Sequence, residues 1–185
     1  MDATLIFATQ AALSLLSLGL IAGWVIYPRL RERSLRDVLT PLLLIETLRA
    51  VGLVVLIPGS VDAALPAGFA VPAAVGDMLA VVLAFVALVA VRAGWRVAPA
   101  LVWLFTVVGL VDFINATALG LVLGIPSYNL GIVWLLLTYA VPAFIAVHLV
   151  VIAVLLNSAR HERQHAGDDR ERAVDVPERL TASIS

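Results

Sequence analysis

Glu46 and Arg49 stand three residues apart, and therefore on one face of a helix, in a run from Val38 to Ile57 that carries no other charge. Asp112 is the single charge between Ala98 and Leu123, with Asn115 one turn further along the same face. Asp77 is alone in the same way between Val71 and Val91, and His148 is the one ionisable group near the middle of the run from Ile132 to Leu156 apart from Tyr139. Ionisable side chains inside long apolar segments cost free energy, so they face one another and mark proton relays, ligand sites or helix-to-helix contacts. By depth along their runs, Arg49, Asp112 and Asn115 share a level, with Asp77 to one side and Glu46 and His148 to the other.

Asp112 is the expected partner of the Glu46 and Arg49 face. Three carboxyls against one arginine leave surplus negative charge that low-dielectric surroundings disfavour, so at least one carboxyl is expected to be held neutral at pH 7. That is the condition for a proton-coupled carrier or a general acid, and equally for a structural hydrogen-bonded cluster. Asp77 reads more readily as a helix-start carboxylate, and His148 as a lone histidine bonded to a neighbouring helix. No other histidine lies in an apolar run to complete a metal site, and no cofactor motif is present.

The elements that position these residues follow from composition. Of 185 residues, 62% are hydrophobic and 14% charged, far too apolar for a water-soluble domain of this length. A span needs about 20 mostly apolar residues. Five stretches qualify: 4–27, 38–57, 71–91, 98–123 and 132–156. Their continuity predicts helices rather than barrel strands, which would alternate. The fold class is an all-α integral membrane protein, a bundle of five transmembrane helices over residues 1–156. The charged tail, 157–185, is expected to be cytoplasmic and largely disordered.

All twelve basic residues are arginines. Apart from Arg49 they follow the first, third and fifth stretches, whereas the N-terminus and the connections 58–70 and 124–131 have none. Positive residues stay inside, so the N-terminus is predicted outside and the C-terminus in the cytoplasm. The N-terminus lacks the positive region of a cleaved signal peptide. Absence of cysteine excludes disulfides and thiolate chemistry, and the charge balance gives no reason to expect nucleic acid as a partner. The 58–70 connection, with Pro58, Gly59, Pro66 and Gly68, predicts an interfacial loop or a re-entrant one. Gly19 with Gly23, Gly76 with Ala80 and Ala84, and Ala116 with Gly120 and Gly124 form small-residue ridges on which helices, a second copy or a partner membrane protein could pack.

The stretch Arg49-x-x-Gly52, Pro58-Gly59, Leu65-Pro66, Phe69-Ala70, Pro72 and Gly76-Asp77 resembles a pattern in small uncharacterised multispan membrane proteins of bacteria. The resemblance implies residence in the inner membrane and brings no activity, substrate or cofactor. Three functions remain open. The first is a small-molecule or proton-coupled transport or binding protein with a mid-membrane polar site. The second is an accessory or structural subunit. The third, disfavoured by the short loops, is a lipid-modifying enzyme.

Overall fold

The computed structural model describes residues 2–30 and 33–182. It is helical throughout, with no strand among the described residues. Five helices are long and apolar enough to cross a membrane, the architecture of a multi-pass membrane protein: α1 (Ala3–Leu30), α2 (Leu35–Leu56), α3 (Ala67–Ala93), α4 (Ala98–Val122) and α5 (Val133–Arg160). The last of these is continuous with helix through Ala182. Bulky apolar side chains such as Trp24, Val82, Ile114 and Val122 stand on the outside, as they do where the surroundings are hydrocarbon.

Capping residues explain three of the ends. Asp2 accepts from the Thr4 amide at the start of α1, and Ser34 accepts from the Asp37 amide at the start of α2. Gly94, at φ 68°, closes α3, and Trp95 N–H reaches back to the Ala90 carbonyl as in a Schellman motif.

A proline follows each irregularity, while Pro41 and Pro72 stand within regular α-helix. Three segments depart from α geometry: a π segment at Ile21–Ile26, a 3-10 segment at Leu48–Leu56 and a π segment at Leu136–Ala140. Each stops two residues before a proline, namely Pro28, Pro58 and Pro142. A proline has no N–H for the carbonyl four residues back and its ring crowds that carbonyl, so the ladder rearranges just before it. At Pro58 the chain leaves the helix altogether, with Ile57 extended.

α2, α3, α4 and α5 form a closed ring in which each helix touches the next, and α1 packs on the outside of α5. Ser14 and Ala22 are the buried positions of α1. Its fastening includes Trp134 of α5, whose indole N–H donates to Gln10 Oε1 at 2.8 Å and whose ring meets Phe7 edge-on. A large apolar core fills one end of the ring, where Val38, Leu39, Leu43, Ala84, Phe105 and Val151 meet near the arginine-bearing connections. Smaller clusters around Phe69, Ile125 and Leu130 and around Val55 and Ala74 fill the other end. The connection after α2 lies over that second end, where the Asp62 amide donates to the Asn129 carbonyl at 2.8 Å and Val61 and Leu65 pack inward.

The small-residue ridges divide. Ala80, Ala84, Ala87 and Ala90 of α3 are fully buried and let its neighbours approach, as expected of such a ridge. Gly19 and Gly23 do not serve close packing, since a methyl group on either would touch nothing within 4 Å. Gly124 is a turn residue at φ 61°, Ala116 and Gly120 line a cavity, and a methyl on Gly120 would stand 3.6 Å from the Phe69 ring of α3.

Candidate functional site

Between the two apolar ends, each helix of the ring contributes at least one ionisable side chain. Arg49 of α2 is the centre. Its Nε and Nη2 donate to Asp77 Oδ1 of α3 at 3.0 and 2.8 Å, and Nη2 also donates to Asp112 Oδ2 of α4 at 2.6 Å. The guanidinium lies 3.9 Å over the ring of Phe113, so charge is offset by two carboxylates and one aromatic face. Beside this lies a second pair, in which His148 Nδ1 of α5 is 2.8 Å from Glu46 Oε1 of α2 and 3.1 Å from the Phe144 carbonyl. A carbonyl can only accept, so Nδ1 carries the hydrogen, and in the neutral ring Nε2 is the bare acceptor. Phe105 and Phe113 enclose that ring, at 4.8 and 5.8 Å between centroids.

The backbone of α2 sets this arrangement. The last α turn presents Glu46, and the 3-10 segment then repeats every three residues, so Arg49, Gly52 and Val55 eclipse on the face toward α3. Three glycines clear the space the polar heads occupy. A methyl on Gly52 would overlap the Asp77 carboxylate, and one on Gly76 would overlap that of Asp112. One on Gly109 would overlap His148 Nε2 and stand 3.1 Å from Arg49 Nη1. Gly76, expected from sequence to admit a neighbouring helix, admits a side-chain head instead, as Gly109 does.

Burial is uneven. The side chains of Arg49, Glu46 and His148 have no exposure, while those of Asp77 and Asp112 are 22% and 11% exposed. Among the described residues, Glu46 Oε2, Arg49 Nη1 and His148 Nε2 are buried polar atoms without a hydrogen-bond partner. A cavity of about 50 Å³ touches Arg49, Gly52 and Asp77. It shares Phe69, Phe113, Leu137 and Val141 with a larger apolar cavity of about 260 Å³ between α1, α4 and α5.

Of the residues singled out from sequence, the structure brings Glu46, Arg49, Asp77, Asp112 and His148 together, and it leaves Asn115 exposed outside them. The buried stripe of α4 runs through Val102, Phe105, Thr106, Gly109 and Phe113. Asn115 is two residues past Phe113, about 200° around the helix, which turns it away. Asp77 differs from its expected place as well: α3 begins at Ala67, so Asp77 sits nearly three turns inside and pairs with Arg49 rather than capping a helix start. Glu46 pairs across the bundle with His148 and has no direct bond to Arg49. Phe113 and the three glycines were not read as parts of the site, although Gly52 and the Gly76-Asp77 step belong to the motif quoted above.

These features define an all-helical multi-pass bundle with an ionic centre held by four helices. The chain belongs to the family of a domain of unknown function (DUF8737), whose model matches residues 6–156. No curated protein and no solved structure matches it.

Proposed function

We propose that this chain is a bacterial inner-membrane protein, N-terminus outside and C-terminus in the cytoplasm, that binds or carries a small solute in a proton-linked way through the Arg49 centre. One observation carries the reading: the ionisable groups of four helices converge on a single cluster between two apolar cores, with formal negative charge left over. Intramembrane ionisable groups that gather in this way exchange protons or hold a charged solute more often than they sit idle. Asp77 and Asp112 are partly exposed, and the cavity that Asp77 lines offers an approach.

The test is proton flux into liposomes containing the purified protein, followed with a trapped pH dye under an imposed membrane potential, with and without candidate solutes. Asp112→Asn and Asp77→Asn should abolish the flux while folded protein is still recovered. A second reading, a structural core that fixes helix packing, is favoured by the complete burial of Glu46, Arg49 and His148. Under that reading the same substitutions lower thermal stability in detergent, and any cellular phenotype follows abundance alone.

A further inference from the structure

The arginine end of the bundle holds a second site, away from the ionic centre. A cavity of about 180 Å³ lies where the end of α1, the start of α2 and the inner part of α5 meet. Leu30, Leu35 and Val154 form its apolar side, and Tyr27, Arg33, Asn157 and Ser158 supply hydrogen-bond donors. Among the described residues, no carboxylate lines it. Asp37, close by in sequence, accepts from the hydroxyl of Ser34, the residue that caps α2. The described residues flanking it carry Arg29, Arg33, Arg36 and Arg160 against Asp37. The field there favours an anion.

Tyr27 is shared with a second cavity, of about 170 Å³, that runs between α1 and α5 toward the middle of the bundle. This one is apolar, lined by Gly19, Ala22, Gly23, Ala146, Val150 and Ala153 among others. It exists because Gly19 and Gly23 have no side chains and nothing else fills the space they leave. Gly23 and Leu149 are exposed along it, so the groove opens to the surroundings. A donor-rich head pocket at the charged end of a helix pair, joined at a tyrosine to an open apolar groove about two turns long, has the shape and polarity of an amphiphile. We propose that it binds one anionic phospholipid, its phosphate against Arg33, Tyr27, Asn157 and Ser158 and an acyl chain in the Gly19 and Gly23 groove.

The site is independent of the proton-linked reading, since it shares no residue with the Arg49 centre. Native mass spectrometry of protein purified from nanodiscs with equal phosphatidylglycerol and phosphatidylcholine tests it. The wild type should retain one phosphatidylglycerol in preference to phosphatidylcholine. Arg33→Gln should lower that preference roughly fivefold, the effect of one interfacial arginine. Gly23→Leu, whose β-carbon meets nothing within 4 Å, should fold normally and remove lipid of both kinds from the groove. Arg96→Gln, on another connection, should change nothing. Equal retention of the two lipids by the wild type, full retention by Gly23→Leu, or an equal loss in Arg96→Gln would overturn the proposal. Protection from thermal unfolding by inorganic phosphate alone, unaffected by Gly23→Leu, would assign the head pocket to a free anion and overturn it too.

Discussion

Arg49 and Gly52 lie in register on one face of α2 because the segment that holds them is a 3-10 helix, and the carboxylate that bonds Arg49 occupies the space over Gly52. In an α-helix, three residues advance 300° and the glycine would turn about 60° away from the arginine. The cluster therefore depends on a local backbone state as much as on its charges.

Gly52→Ala and Gly76→Ala should each destabilise the protein by about 1–3 kcal/mol, because a methyl group must displace a bonded carboxylate. Gly68→Ala, with open space around it near the start of α3, should stay within about 0.5 kcal/mol of the wild type. Thermal unfolding in a single detergent separates the two outcomes. Equal stability of all three would mean that Asp77 and Asp112 lie elsewhere.

Arg49→Met leaves two carboxylates facing each other without their cation, and should cost about 3–5 kcal/mol. The triple replacement Arg49→Met with Asp77→Asn and Asp112→Asn should recover part of that loss. Recovery is measured by the yield of monodisperse protein and by its unfolding midpoint. No recovery would indicate that the pairs are not what the substitution breaks.

His148→Phe strands Glu46 in a site where it has no exposure, so it should be destabilising by several kcal/mol, about 3–5. Glu46→Gln in the same background should restore stability relative to the single variant. The coupling energy of the double-mutant cycle is the quantity to measure, and a value near zero would contradict the pairing.

Trp134→Phe keeps the ring that meets Phe7 and removes the indole N–H that Gln10 accepts, for a loss of about 0.5–1.5 kcal/mol. Since α1 touches the ring of helices chiefly through α5, the loss should appear first as faster hydrogen exchange or proteolysis in α1. Uniform loosening of all five helices would argue against a peripheral α1.

The sequence by itself determined the number of long apolar helices, their rough limits and which apolar runs carry a charge. These follow from local rules: the length needed to cross hydrocarbon, the caps at Asp2, Ser34 and Gly94, and the prolines that interrupt a hydrogen-bond ladder. Asp112 is already the expected partner of Arg49 from its depth along the run, and only the tertiary structure decided the other partners. Asp77 joined Asp112 on Arg49, Glu46 went to His148, 102 residues away, and Asn115 turned outward. Pairing depends on how far each helix is rotated about its axis. The 3-10 segment in α2 and the π segment in α5 change that rotation by amounts that a regular period of 3.6 does not contain. The glycines show the same division, because Gly52, Gly76 and Gly109 earn their role from what stands opposite them, and that is a property of the folded bundle rather than of the chain.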